Sequence, residues 1–459
     1  MAAGSPASRK LVSVRVSPHA YLGAAFVLLF SASFLLYIEQ YLFGIVSISI
    51  AIFVVPLLAF FDRIAFDGKR LVRTGHLSKL LAFFGGFPNR LRLNHIEQVD
   101  TQAIRAFKRN GRVIYAYRTT VRGRGVSMSF ATGGDRYIRL INEIFPLLPN
   151  DVLDTRSIEL REFYINHKQA LRNAKASDIP SADVLAEMID QVRSGRGLLR
   201  PADNVDPNEA KERILELRTL GNQLRMSGAL LQAAEAFRRA IRIKPTDGWL
   251  LFEFAKCLYS FGLAERDPRM ERRAVAMLRL AEKRAGNDIE LLSRLGESYF
   301  QIGDWRRAGS VFKRTIDNFG ESFRALRGLA EIALREGKIA HVIHNFSAAN
   351  RLAATNSLRR WTDGEVEYFS RLNADEEYME LEVSRVNLID SLIRARGNAL
   401  RVTGIGLPII IGGVILQYDL VANIGWAISG VAIIAWVVMS IMERMLDSRI
   451  PLDMVESAE

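Results

Sequence analysis

The sequence predicts a multidomain membrane protein with two transmembrane α-helical hairpins, a small β-rich domain and an all-α repeat solenoid. Three observations lead to this prediction. Two long apolar blocks bracket the chain, at residues 20–61 and 403–442. Residues 62–149 alternate short apolar and polar runs. Residues 211–372 repeat their own pattern at a period of about 34 residues. With 459 residues, the chain has room for all of these parts.

We therefore divide the chain into consecutive segments. They are a cytoplasmic N-terminal tail (1–19), a first transmembrane hairpin (20–61), a basic β-rich domain (62–149), a helical connector and linker (150–210), the solenoid (211–372), a capping or connecting helix (373–402), a second transmembrane hairpin (403–442) and a cytoplasmic C-terminal tail (443–459). The single cysteine, Cys257, excludes an internal disulfide framework and a cysteine-rich metal site.

The first apolar block predicts a tight helical hairpin. Residues 20–38 and 41–61 contain no charged residue, and each is about long enough to cross a bilayer core of ~30 Å. Only Glu39 and Gln40 separate them. The alternative is a cleaved signal peptide, because basic residues precede the first run. The second apolar run that follows at once favours the hairpin.

The second apolar block is less regular. Residues 403–418 are short and rich in glycine, with Pro408, so they form either a thin, kinked span or a re-entrant segment. Residues 421–442 have the composition of a full span. Small residues four apart, Ser47 with Ala51 or Gly425 with Ser429, suit close helix packing.

The lysines and arginines near the spans predict one orientation. They precede the first and third spans and follow the second and fourth, while neither hairpin loop contains one. By the positive-inside rule, both termini and the whole of residues 62–402 face the cytoplasm. We therefore expect a multi-pass protein of the bacterial inner membrane. The spans contain no Lys, Arg or His, which argues against an ion path.

Residues 62–149 are strongly basic. The chain has a formal net charge of +12, and this segment holds sixteen Lys and Arg against six Asp and Glu. Asp67–Gly68 and Asn110–Gly111 are turn signals between β-forming residues. A helix is predicted over 135–149, with Asp135 as its N-cap and with Ile138, Ile141 and Phe145 facing inward. The segment therefore predicts a β-barrel or curled sheet closed by one helix.

Residues 67–75 (DGKRLVRTG), residues 90–102 (RLRLNHIEQVDTQ) and the Asn110–Gly111 hairpin follow directly after a two-span hairpin. This arrangement resembles the bacterial pleckstrin-homology-like domains. The resemblance implies a binding or scaffolding fold rather than an enzyme.

The basic residues of this domain are candidates for contact with anionic lipids or an acidic partner. The candidates are Arg105, Lys108, Arg109, Arg112, Arg122 and Arg124. The alternative is a solvated face whose charge reflects only the positive-inside bias. Nucleic acid is not an expected partner, because the segment contains no nucleic-acid-reading motif.

The repeated segment predicts pairs of antiparallel helices. Small residues allow two helices to approach closely, aromatic residues fill the space between pairs, and a proline ends the second helix. The residues that define the repeat are Gly221, Ala233, Phe237, Ala240, Pro245, Gly296, Tyr299, Ala308 and Phe312. This pattern resembles the tetratricopeptide-repeat family.

The copies differ in detail. In the second copy, about seven residues around 265–271 are predicted as an insertion in the turn. The fourth copy is looser, and residues 361–372 with 374–400 form a degenerate fifth pair or a capping helix. We expect the last helix to continue into the third span.

The tetratricopeptide resemblance implies a superhelix with a groove that binds proteins. The candidate groove residues are Asn222, Arg225, Lys256, Arg294 and Glu297. A solvated helix face is the alternative for each of them.

Nothing in the sequence recommends an enzyme. His341 and His344 are three residues apart but have no third ligand nearby, and Cys257 lies within an apolar helix pattern. We expect no catalytic residue, no metal and no cofactor. The predicted function is a membrane-anchored scaffold or adaptor that binds protein partners in its repeat groove. The alternative is an integral accessory or regulatory subunit of a membrane enzyme or a transport, secretion or polysaccharide assembly, which contacts lipids and other membrane subunits.

Overall fold

The computed structural model describes residues 12–16, 19–75, 79, 89–109, 112–131, 135–187 and 207–446. The chain folds as two compact units. The first comprises residues 1–17 and 60–363, and the second comprises residues 18–59 and 364–459. The chain is mostly helical, with a small β-sheet region in the first unit.

The helices are named in chain order. They are α1 His19–Tyr37, α2 Tyr41–Phe61, α3 Asp135–Ile144, α4 Thr155–Phe163, α5 His167–Ala176, α6 Ala182–Glu187, α7 Pro207–Ser227, α8 Leu230–Ile243, α9 Gly248–Glu265, α10 Pro268–Arg284, α11 Ile289–Ile302, α12 Trp305–Phe319, α13 Phe323–Arg335, α14 Ile339–Leu352, α15 Asn356–Ala374, α16 Glu376–Ile415 and α17 Asp419–Leu446.

Two antiparallel sheets form the β-rich part of the first unit. The strands are β1 Val12–Arg15, β2 Arg63–Phe66, β3 Arg70–Arg73 and β4 Arg90–Arg92 in one sheet, and β5 Gln98–Arg109, β6 Arg112–Gly123 and β7 Val126–Ala131 in the other. In each sheet the strands lie in sequence order. A bridge between Val16 and Phe130 links the two sheets.

The N-terminal segment differs from its prediction as a tail. Strand β1 pairs along its whole length with β2, from Val12 opposite Phe66 to Arg15 opposite Arg63. Val14 alternates inward and is only 2% exposed. Residues 12–15 therefore belong to the β-rich domain, because their alternating valines complete its buried face.

The Asp67–Gly68 turn and the closing helix that were predicted for the β-rich domain are both present in the structure. The Asp67 carboxylate accepts the backbone N–H groups of Lys69 and Arg70, and Gly68 has a φ of 90°. Asn110 and Gly111 lie outside the described residues, but the flanking Arg109 and Arg112 pair directly. Of the three residues predicted to face inward, Ile141 and Phe145 are buried, while Ile138 is only partly buried. Tyr137 and Leu140 of α3 are buried in addition.

Helices α7 to α14 form four consecutive antiparallel pairs, as expected for tetratricopeptide-like repeats. Close approach requires glycine at two equivalent positions. A Cβ atom on Gly221 would lie 2.8 Å from the Phe237 ring, and one on Gly296 would lie 2.5 Å from the Phe312 ring. Both rings are almost completely buried.

The second pair corrects the predicted turn insertion. Helix α9 continues to Glu265 and α10 begins at Pro268, so the turn between them is short. The additional residues lengthen the two helices to 18 and 17 residues, against 14 and 15 in the third pair. Gly262 lies within α9 and packs against Glu271.

The second unit contains the apolar helices. Among the described residues, Tyr41–Phe61, Glu376–Ile415 and Asp419–Glu443 are long and apolar enough to cross a membrane, judged by length and composition, and Tyr21–Tyr37 is a shorter apolar helix. Residues 403–415 are the end of the continuous helix α16, so the backbone there is helical rather than a broken re-entrant segment. Helix α2 includes a π-helical turn at Ile50–Val54, just before Pro56.

Glycines set the crossing of α16 and α17. A Cβ atom on Gly413 would lie 2.4 Å from the backbone nitrogen of Ala422, and one on Gly425 would lie 2.7 Å from that of Ile410. Gly406 faces Ser429 in the same way. Close packing of small residues therefore joins the two helices.

Candidate functional site

The first helices of the pairs, α7, α9, α11 and α13, present one shared face, which we call the first-helix face. The five predicted groove residues lie on this face. Asn222 and Arg225 are on α7, Lys256 is on α9, and Arg294 and Glu297 are on α11. The structure brings the first four together around one further element, the connector helix α4.

Glu159 of α4 is the centre of a buried ion cluster. Its carboxylate lies 3.2 Å from the guanidinium of Arg225 and also binds the ammonium of Lys256. Asn222 supports the cluster by accepting a hydrogen bond of 3.0 Å from Arg225. Burial favours the neutral acid, but the charges of Arg225 and Lys256 outweigh it and lower the pKa of Glu159 to about 2.

A second ion pair lies along α4. Arg294 donates to both carboxylate oxygens of Glu162, at 3.0 and 3.4 Å, and also to Glu290 at 2.9 Å. Its guanidinium lies over the Trp249 ring. Although burial favours loss of the proton, the two carboxylates raise the pKa of Arg294. The connector helix therefore matches the cations of three successive first helices with two carboxylates.

Glu297 has a different environment. It accepts a hydrogen bond of 2.7 Å from Arg324 on α13. Burial nevertheless raises the pKa of Glu297. All five predicted groove side chains therefore bind other groups of this chain, so in this structure none of them is available to a partner.

The sequence did not predict that α4 would lie on the first-helix face, because residues 150–210 were interpreted only as a connector and linker. The local sequence gives no clear signal, because polar and charged residues flank Ile158, Glu159 and Leu160. The structure shows that all three are at most 2% exposed, and a buried carboxylate needs a cation.

The opposite side of α4 packs on the β-rich domain. Ser157 shares a hydrogen bond of 2.7 Å with Thr101, which shares one of 3.1 Å with Thr119, and Thr119 shares one of 2.8 Å with Tyr137. Tyr117 of β6 donates to the carbonyl oxygen of Met226 at 2.6 Å. The β-rich domain, α4 and the repeats therefore share one continuous set of contacts.

Beyond the start of α4, a cleft remains open between the β-rich domain and the last part of the first-helix face. We call it the inner cleft, and its volume is about 470 Å³. Asp100, Asp151, Asp154 and Thr155 line one side. The repeats contribute charged and aromatic groups to the other side, namely Glu297, Phe300, Arg324, Arg327, Glu331 and Arg335.

The predicted basic surface is described only in part. The side chains of Arg105, Lys108, Arg109 and Arg112 lie outside the described residues. Arg122 and Arg124 are exposed at the β6–β7 turn, where Arg124 has a φ of 48° and its backbone N–H donates to Glu97.

Cys257 lies in the core of the repeats. It is fully buried, and burial raises the pKa of its thiol to about 12. It is therefore held as an unreactive thiol. Within the described ranges, no three His, Cys, Asp or Glu residues are grouped so as to hold a metal ion.

Comparison with known proteins yields little. No protein-family model matches the chain, and no curated protein matches it. A solved structure titled as the crystal structure of the APC/C hetero-tetramer Cut9–Hcn1 contains a chain with 15% sequence identity and a TM-score of 0.29. The match covers 66% of this chain and 52% of that chain, so it spans about half of that chain's length. The repeat assignment therefore rests on the helix pairs and glycine–phenylalanine contacts of the chain itself.

Proposed function

We propose that the protein is a membrane-anchored scaffold or adaptor whose tetratricopeptide-like repeats bind partner proteins on the cytoplasmic side of a bacterial inner membrane. One observation supports it above the others. The first-helix face already binds a polypeptide helix, α4, through matched charges, and it leaves the inner cleft open beside that helix. A face that accommodates one peptide segment has the chemistry to accept a second.

Anchoring in the membrane is part of the proposal. Large apolar side chains are exposed along α2, including Leu42 at 70% and Phe53 at 72%. A contiguous apolar surface of this kind requires cover by lipid or protein. At the end of α2, the guanidinium of Arg15 lies 4.3 Å from the Phe60 ring centroid, and that of Arg63 lies 5.7 Å away. Arginine beside aromatic rings is typical of a membrane interface.

The geometry changes which residues should test partner binding. Substituting Arg225 or Arg294 would break ion pairs with α4, and substituting Asn222 would remove its hydrogen bond to Arg225, so each change would destabilise the fold. Gln301 is exposed and lines the inner cleft, so Gln301→Trp would block the cleft sterically. Ser310 is exposed on the second helix of the same pair, so Ser310→Trp is its matched control.

The test is purification of the tagged, full-length protein from native membranes in mild detergent, followed by mass spectrometry. We expect a stoichiometric protein partner that Gln301→Trp removes and Ser310→Trp retains. A partner that survives Gln301→Trp would contradict binding at the cleft.

That second outcome would favour an integral accessory or regulatory subunit. The exposed apolar face of α2 is the observation that favours this candidate, since only 17% of the apolar stretch of this helix is buried. A partner retained by a chain blocked at the cleft, but lost when Leu42 and Phe53 are replaced by alanine, would identify contact through the spans.

Pleckstrin-homology-like character and lipid contact also belong to the proposal. Arg122 and Arg124 are exposed together at one turn, which suits anionic headgroups. We expect hydrogen exchange at the β6–β7 turn to slow in nanodiscs that contain phosphatidylglycerol, compared with phosphatidylcholine alone. Equal exchange in the two lipids would contradict lipid contact.

A further inference from the structure

A short helical turn at Leu93–His95, directly after β4, joins separate parts of the first unit. The backbone N–H of Leu93 donates to the carbonyl oxygen of Lys69, in the β2–β3 turn, at 3.1 Å. The hydroxyl of Ser357, in the first turn of α15, donates to the carbonyl oxygen of Asn94. The Leu93–His95 turn therefore holds the β2–β3 turn and the start of α15 on either side of it.

The β6–β7 turn is held at the same place. A Cβ atom on Gly123 would clash with the carbonyl oxygen of His95, so only glycine allows this approach. The next residue, Arg124, has a φ of 48°, which is uncommon for a residue other than glycine. Its backbone N–H donates to the carboxylate of Glu97 at 3.1 Å. These contacts fix the position from which the Arg124 side chain extends.

Each of the joined elements presents a cationic side chain. They are Lys69 in the β2–β3 turn, Arg92 at the end of β4, Arg124 in the β6–β7 turn and Arg360 in α15, and all four are exposed. Burial lowers the pKa of His95, and the charges of the three arginines lower it further. The three guanidinium groups therefore lie near one imidazole ring.

The four cations have no carboxylate partner within the described part of the chain, since none of them forms an ion pair there. Asp67 is bound to Arg70 at 2.7 Å, and Glu97 binds the backbone of Arg124 rather than its guanidinium. The segments 76–88 and 132–134 contain no Asp or Glu. Like charges held together repel one another, and a cleft lined by one sign of charge attracts the opposite ion.

A cleft of about 690 Å³ opens beside the Leu93–His95 turn, and Lys69, Arg92 and Asn94 line it. Guanidinium groups match phosphate oxygens with two parallel hydrogen bonds. A phosphodiester has a single negative charge, whereas a phosphomonoester has between about 1.5 and 2 at pH 7. Several converging cations therefore favour the more highly charged group.

We propose that this cleft, which we call the basic pocket, binds a phosphomonoester or diphosphate group through Lys69, Arg92, Arg124 and Arg360. The group belongs either to a soluble compound or to a lipid headgroup. The basic pocket shares Arg124 with the proposed lipid contact, and in that respect the inference rests on the proposed function. It names a ligand with more charge than phosphatidylglycerol carries.

The probe is inorganic pyrophosphate, titrated into the full-length protein in detergent and followed by isothermal titration calorimetry. Dimethyl phosphate is the control ligand, because it has the same tetrahedral centre but only one charge. We expect pyrophosphate to bind at least about tenfold more tightly than dimethyl phosphate, since charge-assisted hydrogen bonds are the stronger ones.

Arg360→Gln is the principal variant, and Arg359→Gln is its matched control. Both arginines are exposed and adjacent on α15, but their side chains leave the helix in directions about 100° apart. We expect Arg360→Gln to weaken pyrophosphate binding about tenfold and Arg359→Gln to leave it unchanged. Neither exposed substitution should lower the thermal unfolding midpoint. If Arg360→Gln does lower it, Arg92→Gln provides a second test on β4.

Nanodiscs distinguish the two sources of the phosphate group. If the affinity for pyrophosphate falls in nanodiscs that contain phosphatidic acid, compared with phosphatidylglycerol, a phosphomonoester headgroup competes for the basic pocket and the ligand is a lipid. If the affinity is the same in both lipids, the ligand is a soluble compound.

No binding of pyrophosphate at millimolar concentration would overturn the proposal, as would equal affinity for dimethyl phosphate. Full affinity in both Arg360→Gln and Arg92→Gln, or equal losses in Arg360→Gln and Arg359→Gln, would also overturn it. The proposed function is judged separately. Slower exchange at the β6–β7 turn with phosphatidylglycerol, in a protein that does not bind pyrophosphate, would keep the lipid contact and reject the basic pocket. Loss of a partner with Gln301→Trp does not depend on this pocket.

Discussion

Glu159 is enclosed by Arg225 and Lys256, so removing its charge should strongly destabilise the first unit. Its side chain is 3% exposed and that of Arg225 is 5% exposed. Removing one member of such a cluster leaves the other charges buried without a partner. We expect Glu159→Gln to lower the free energy of unfolding by about 3–5 kcal/mol, measured by urea unfolding of the full-length protein.

The matched control is Glu290→Gln. Glu290 also binds an arginine, Arg294, but its side chain is 48% exposed. Exposed pairs contribute at most about 1 kcal/mol. If the two substitutions cost the same, the buried cluster does not have the role that its geometry indicates.

The same cluster predicts sensitivity to acid. The pKa of Glu159 in the folded protein is about 2, below its ordinary value of 4.5. Its contribution to stability is therefore complete above pH 4.5 and is lost as the pH falls from there toward 2. We expect Glu159→Gln to remove this part of the acid-induced loss. Identical acid unfolding profiles for the parent and the variant would contradict the assignment.

Glycine and phenylalanine are complementary within the repeats. A Cβ atom on Gly296 would lie 2.5 Å from Phe312, so Gly296→Ala should cost about 1–3 kcal/mol through overpacking. Gly309 is the control, because its Cβ atom would lie 3.8 Å from Ile332 in ordinary contact. Gly309→Ala should stabilise by about 0.5–1 kcal/mol, since alanine favours a helix. Thermal unfolding midpoints that move in the same direction would contradict this difference.

At the scale of elements, the crossing of α16 and α17 depends on which side of α16 faces its neighbour. Gly412 and Gly413 are adjacent, but only Gly413 meets α17; nothing lies within 4 Å of a Cβ atom on Gly412. We expect Gly413→Val to separate the two helices at a cost of about 1–3 kcal/mol. Gly412→Val should have much less effect on thermal unfolding in detergent, and equal effects would rule out this crossing.

Element positions could be predicted where local patterns decide them. The 34-residue spacing placed the helix pairs, since small and aromatic residues recur wherever two helices touch. The insertion in the second copy was wrongly placed in the turn. Extra residues can extend two helices as readily as a loop, and Arg266, with a φ of 55°, shows that the tight turn survives at the end of α9.

The candidate site could not be predicted at this level. Arg225, Lys256 and Arg294 were expected on one face, because the repeat fixes which positions share it, and in the structure all three bind α4. Their partner lies on α4, in a segment outside the repeat pattern. Contacts between distant segments leave little periodic signal in a sequence, and the polar residues on both sides of Ile158–Leu160 gave no sign that Glu159 is buried.

At the scale of the whole molecule, charge placement predicts a topology that can be measured. The hairpin loops lack Lys and Arg, whereas Lys69 lies in the basic domain. In the proposed arrangement, Glu39→Cys and Gln417→Cys should react with an impermeant maleimide only from the periplasmic side, and Lys69→Cys only from the cytoplasmic side. All three positions are exposed. Cys257 is buried, so it should not react with the maleimide. Labelling of all three introduced cysteines from one side would contradict the topology.

The binding of α4 to three first helices also has a consequence for how the chain folds and varies. Ordinary repeat arrays fold by nearest-neighbour contacts and can gain or lose copies at their ends. Here the ion pairs join residues 66, 97 and 132 positions apart in the chain. Such long-range closure slows folding, and α4 leaves the ribosome before the helices that hold it. The nine residues of α4 span about 14 Å, a length fitted to a fixed set of helices. Loss of any one of the first three pairs would remove a cation that binds α4, so the copy number of this array is more constrained than that of a simple solenoid.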